Sequence, residues 1–148
     1  MSSQKGLSLL KVVSEYIAKT HGFDRVLEKV KIVSGGEGLC SAEFKVEPEH
    51  LNAGGGLHGG FTATLVDCIS TYALMTQTNP VSGAVSNAGV SVDIHISYLK
   101  GAREGEDIVV DAKTIKAGKT LAFLEVEIKK KSSNDVVARG THTKFVGQ

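Results

Sequence analysis

Near the start of the chain, Leu7, Leu10, Val13 and Ile17 recur at helical spacing, with Val12 and Tyr16 alongside and Gly22 as a stop. That pattern predicts a short amphipathic helix over about 7–21. Val26 to Ser34 and Leu39 to Val46 then read as two strands joined at Gly35-Gly36-Glu37-Gly38, a hairpin signal. In the second, Cys40, Ala42, Phe44 and Val46 alternate with Ser41, Glu43 and Lys45, as in a half-buried strand. A Gly-rich irregular stretch follows Pro48 and leads into a long helix over about 58–77, which Asn79-Pro80 ends; 81–88 reads as a loop. The remainder is strand: Val90 to Leu99, Asp107 to Lys116, Thr120 to Lys130 and Val136 to Val146, separated by turn residues such as Ala117-Gly118-Lys119 and Ser132-Ser133-Asn134-Asp135. Strands in runs around one long helix predict an α+β domain with a mostly antiparallel sheet, one domain over 1–148.

The long helix carries the candidate chemistry. Phe61, Leu65, Cys68, Tyr72 and Met75 form one apolar stripe, and Gly60, Ala63, Thr64, Asp67, Ser70, Thr71 and Leu74 form a second of smaller, partly polar residues. A helix apolar around most of its circumference is buried on both sides, which one sheet of this size does not easily achieve and a symmetry mate would complete. Asp67 stands out among Leu65, Val66, Cys68 and Ile69, too far into the helix to cap it. Burial of a lone carboxylate is costly, so Asp67 either hydrogen-bonds Ser70, Thr71 or a neighbouring strand, or serves as general base or nucleophile. At the other end, His58-Gly59-Gly60 opens the helix, where free N–H groups and the macrodipole favour negative charge. The Gly59 N–H is therefore a candidate oxyanion donor; a plain helix-launching turn is the alternative. Eight residues of helix separate Gly59 from Asp67 by ~12 Å, so both can touch one carbonyl only if the site lies between two subunits.

Composition narrows the class. Seventeen Lys and Arg against 16 Asp and Glu leave a net charge of +1, against the cationic excess of a nucleic-acid binder. No apolar run approaches the ~20 residues of a membrane span. Cys40 and Cys68 form no metal or redox spacing and read as buried thiols of an intracellular protein. The expected compartment is cytoplasmic or mitochondrial: the first fourteen residues hold two Lys and no acid, though without the Arg of a transit peptide. Gly54-Gly55-Gly56-Leu57-His58-Gly59 formally matches a dinucleotide fingerprint but lacks the strand before it and the βαβ context. His50, His58, His95 and His142 have no metal-ligand spacing, so neither metal nor cofactor is expected.

His50-Leu51-Asn52-Ala53, Gly56-Leu57-His58-Gly59-Gly60 and Ala63-Thr64-Leu65-Val66-Asp67, extended by Gly89 to Asp93 and Gly118 to Phe123, resemble the signature of hotdog-fold acyl-CoA thioesterases of the PaaI-like branch. The resemblance runs over nearly the whole chain. It implies an antiparallel sheet wrapped around one long helix, homodimers that stack as a dimer of dimers, and hydrolysis of medium- or long-chain fatty acyl-CoA without metal or cofactor. It also implies roles. Asp67 would activate the attacking water or attack directly, and Gly59 would hold the oxyanion. Asn52 would place the water or the carbonyl, His58 would support the carbonyl end, and Ser91 would hydrogen-bond the water or Asp67. For CoA, Lys116, Ala117, Gly118, Lys119, Thr120, Leu121, Lys144 and Phe145 would supply cations and a groove, with Tyr98 as a flat contact; ordinary hairpin solvation is the alternative for the lysines. The chain departs from the pattern in a longer 78–88 connection and in Cys68 beside Asp67. A hotdog hydratase or dehydratase and a non-catalytic acyl-CoA sensor are the competing readings.

Overall fold

The computed structural model describes residues 4–79 and 86–147. In order, the chain forms helix α1 (Gln4–Lys19), a 3-10 turn (Phe23–Leu27), strands β1 (Lys31–Gly36) and β2 (Leu39–Lys45), and a second 3-10 turn (Pro48–His50). Helix α2 (Gly59–Met75) follows, and then β3 (Val90–Tyr98), β4 (Asp107–Ala117), β5 (Leu121–Lys130) and β6 (Val136–Phe145). The six strands make one antiparallel sheet in the order β1-β2-β4-β5-β6-β3.

Period-2 alternation gives the sheet a buried inner face. Cys40, Ala42 and Phe44 of β2, Ile108, Val110 and Ala112 of β4, and Val126 and Ile128 of β5 close over Phe61, Leu65, Ile69 and Tyr72 of α2. The sheet thus wraps one long helix, as expected. Where α2 crosses β6 the backbones come close: a Cβ on Gly140 would lie 2.7 Å from Val66 Cγ1, so only glycine fits under the helix there.

Three expectations are corrected. The first strand begins at Lys31, because Val26 and its neighbours belong to the 3-10 turn that puts Leu27 into the core beside Leu10 and Ile17. Apolar residues at Val26, Leu27 and Val30 do not alternate, and burial of Leu27 against α1 wins over strand propensity. Val12 and Tyr16 are exposed, so the buried stripe of α1 is narrower than predicted. On α2, Ser70 and Leu74 are covered by this chain's own sheet, whereas Ala63, Thr64, Asp67 and Thr71 form a half-buried strip. Most of the predicted 81–88 loop lies outside the described residues.

β3 ends the sheet and is mostly exposed on both faces. A bulge between Ser91 and Asp93 breaks its alternation. Ser91 therefore pairs with Lys144, and Ile94 with His142, on the helix-facing side, while Asp93 pairs with Thr143 on the other.

Candidate active site

The start of α2 is held by a folded loop. His50 is buried, accepts the Glu47 N–H on Nδ1 (3.0 Å) and stacks on Phe61 with ring centroids 4.5 Å apart. Asn52 Oδ1 accepts the N–H groups of Gly54 (2.9 Å) and Gly56 (3.2 Å), an Asx-type closure that leaves its amide nitrogen to donate elsewhere. His58 is the N-cap: its Nδ1 accepts the Gly60 N–H at 2.8 Å. That cap satisfies Gly60 and leaves the Gly59 N–H without an acceptor among the described residues, as an oxyanion donor requires. The Tyr98 hydroxyl donates to Gly59 O at 2.8 Å and steadies the turn from β3. Asn52, Leu57, Gly59, Tyr98 and Lys100 line an open cavity of about 420 Å³ here.

Two turns along α2 is a second polar cluster. Ser91 Oγ lies 3.2 Å from Asp67 Oδ1 and 2.9 Å from His142 Nε2, within hydrogen-bond reach of both. His142 Nδ1 is 2.7 Å from Ser70 Oγ, and His142 Nε2 is 3.7 Å from Asp67 Oδ1. Lys144 Nζ donates to Thr71 Oγ1 (2.8 Å), which in turn donates to the Asp67 carbonyl (2.7 Å). His142 and Lys144 are buried, at 1% and 4% exposure, while the Asp67 side chain is 44% open. Burial drives the His142 pKa down to about 4, Lys144 lowers it further, and Asp67 and Asp93 pull the other way. The imidazole is therefore neutral at physiological pH. Burial also pushes the Cys68 thiol up to about 12, which removes it as a nucleophile beside Asp67. The Asp67 carboxylate, open on one side with Ser91 beside it on the other, can take a proton from a water.

The expected residues thus fall into two groups in one chain. Gly59, His58, Asn52 and Tyr98 stand at the helix start, and Asp67 and Ser91 two turns on. Lys116, Ala117, Gly118, Lys119, Thr120, Leu121 and Phe145 gather at the far end of the sheet, where Leu121 pairs with Phe145, which in turn pairs with Val90; all seven are exposed. Tyr98 is not among them: seven strand residues put it ~23 Å from Ser91 along β3. Lys144 is not on that surface either. It faces α2, because on β6 it is in phase with buried Ala138, Gly140 and His142, while Phe145 is in phase with exposed Arg139 and Thr141.

The sequence alone assigned His142 no role in the site. The signal was available in β6: His142 and Lys144 continue an Ala138, Gly140 period of small inward residues, and polar groups on a core face are informative. Among the described residues no group of three His, Cys, Asp or Glu could hold a metal, and no helix is long and apolar enough to cross a membrane.

The thioesterase superfamily profile matches residues 54–137. Human acyl-coenzyme A thioesterase 13 is 48% identical over 138 residues, 93% of this chain and 94% of that protein. The crystal structure of zebrafish thioesterase superfamily member 2 superposes with a TM-score of 0.87 at 46% identity, covering 95% of this chain and 98% of that one. A hypothetical thioesterase from Streptococcus pneumoniae, crystallised with coenzyme A, gives a TM-score of 0.76 at 25% identity over 93% of this chain and 97% of that one. With the wrapped helix, its free N-terminal donor and a carboxylate on the same helix, these similarities lead to one conclusion: the chain belongs to the thioesterase superfamily, has the hotdog fold and is an acyl-CoA thioesterase.

Proposed function

We propose that this enzyme hydrolyses medium- or long-chain fatty acyl-CoA at a site shared by two subunits, with Asp67 of one and the Gly59 N–H of the other acting on one thioester. The observation that carries this reading is the separation of the two half-sites: ~12 Å of helix lies between Gly59 and Asp67. Each therefore lacks its complement within the chain. The exposed edge strand β3, with Val90 and Val92 open to solvent, offers the pairing surface for a twofold partner.

In this reading Asp67 takes a proton from water, and the water oxygen adds to the thioester carbon. The resulting oxyanion rests on the partner's Gly59 N–H, with the Asn52 amide beside it and His58 holding the cap. Collapse breaks the C–S bond, and the departing thiolate of CoA recovers the proton from Asp67. Ser91 stands beside the carboxylate, within reach of it and of His142. A groove of about 600 Å³ beside the helix start, with Phe23, Val26 and Phe61 among its lining and Arg25, Glu28, Lys29 and Glu49 also lining it, supports a fatty acyl group on its apolar part. Lys116 and Lys119 on the exposed hairpin are the cations for CoA phosphates. The coenzyme A bound to the S. pneumoniae relative supports a CoA-bearing substrate here.

A mixing experiment tests the shared site. Asp67→Asn removes the base; Gly59→Pro removes one N–H at a helix position where proline is tolerated. Each variant alone is expected to be nearly inactive in thiol release across acetyl- to palmitoyl-CoA. Refolded together, hybrids hold one intact site in two, so about a quarter of wild-type turnover returns. No recovery, with hybrids shown by mass spectrometry, would place both groups' work within single chains and overturn the shared site.

A further inference from the structure

Lys144 is a cation buried at the back of the Asp67 cluster, and its neighbours show what it can do. It lies two residues from His142 on the inward side of β6, pairs with Ser91 across the strand, and hydrogen-bonds through Thr71 to the Asp67 carbonyl. The proton positions around His142 follow from donor counting. Ser70 has one hydroxyl hydrogen, and its oxygen is 2.6 Å from the Val66 carbonyl, a contact that is repulsive unless that hydrogen lies between them. Ser70 therefore accepts from His142, whose Nδ1 carries the proton. In the neutral ring Nε2 is then an acceptor for the Ser91 hydroxyl. Asp67 Oδ1 is left open to a water. A second proton on Nε2 reverses this: Nε2 donates to Ser91, and the Ser91 hydrogen turns onto Asp67 Oδ1 and occupies the base.

We propose that Lys144 is a positioning residue for hydrolysis: its buried ammonium bars the second proton from His142, which aims the Ser91 hydroxyl at His142 and frees Asp67 for water. This rests on Asp67 being the base. The charged groups acting on His142 are Asp67 from α2 and Lys144 from its own strand on the inner side, and Asp93 of β3 from the opposite face; β5 contributes Leu124 and β3 Ile94. Burial disfavours the imidazolium most, Lys144 adds to it, and the two carboxylates oppose both. Thr71 receives the Lys144 hydrogen bond because its own hydrogen is spent on the Asp67 carbonyl.

The test compares wild type with Lys144→Met, which fills the same space without charge, and Lys144→Arg, which restores charge. Dodecanoyl-CoA hydrolysis is followed from pH 4.5 to 8, and the His142 ring is titrated by NMR, its signal assigned by loss in His142→Gln. In Lys144→Met the His142 titration is expected to rise by about one pH unit or more. The acid limb of kcat should follow it, so that a one-unit rise lowers activity at pH 5 relative to pH 8 by about twofold, and a larger rise by more, with KM unchanged. Lys144→Arg returns both toward wild type. An unmoved His142 titration in the folded Met variant overturns the proposal, as does a moved titration with an unmoved acid limb. Retained turnover in Asp67→Asn would instead sink the underlying reading of Asp67 and leave the NMR shift standing.

Discussion

The two faces of the sheet use the same residue types to opposite ends. On the outer face, Lys113 with Glu125, Lys129 with Asp111 and Arg139 with Glu127 make cross-strand ion pairs, and Lys131 just past β5 pairs with Glu43, all between partly or largely exposed side chains. On the inner face, Asp67, His142, Lys144, Ser70 and Ser91 share one chain of hydrogen bonds under a helix. Water screens the outer pairs, and such pairs contribute ~0–1 kcal/mol each. Inside, each donor chooses among one or two partners, so removal of one group redirects or strands another. The outer face keeps the strands soluble and in register; the inner face fixes where protons are.

The largest effect should come from Asp67→Asn, which keeps the shape and the Ser91 contact but not the base. A loss of ~10²- to 10⁴-fold in kcat is expected, with acyl-CoA binding by calorimetry retained. A variant that kept its turnover would remove the functional meaning of the inner cluster and leave two merely structural faces.

A smaller but distinctive effect belongs to His142. Its folded pKa, about 4, lies below the ordinary 6.5. Between those values the unfolded chain holds a proton that the folded chain rejects. The stabilisation is thus complete above pH 6.5 and is lost as pH falls toward 4. Urea midpoints should fall across that window in wild type and fall less steeply in His142→Gln. Part of the slope will remain, because burial also lowers the His50 pKa. An equal slope in both proteins would mean that His142 is not held neutral.

The smallest effect is expected on the outer face. Lys113→Ala should shift stability by less than ~1 kcal/mol and leave kcat and KM alone. A loss comparable to that of an inner substitution would erase the distinction between the faces.

Much of this arrangement was legible before the structure. Periodicity located α1, α2 and five of the six strands closely, because amphipathic burial leaves a pattern in the residues themselves. Only the first strand started late, where a local turn buried Leu27. The His-Gly-Gly start and a carboxylate inside an apolar helix were visible for the same reason: each breaks a local rule. Ser91 was harder. Strict alternation in β3 groups it with Asp93, facing away from the helix, and the bulge after it reverses that. No residue type announces this bulge.

The sequence by itself determined the helix that carries Asp67, the donor at its start and the span between them, because helical rise and residue order are local and fixed. Tertiary structure alone decided that His142, Ser70 and Ser91 meet, that Tyr98 braces the helix start, and that Lys144 faces inward instead of toward a phosphate. Those contacts join residues 39 to 73 positions apart in the chain. Strand order and a one-residue bulge set them, and pairing of that kind is a property of the assembled sheet rather than of any segment in it.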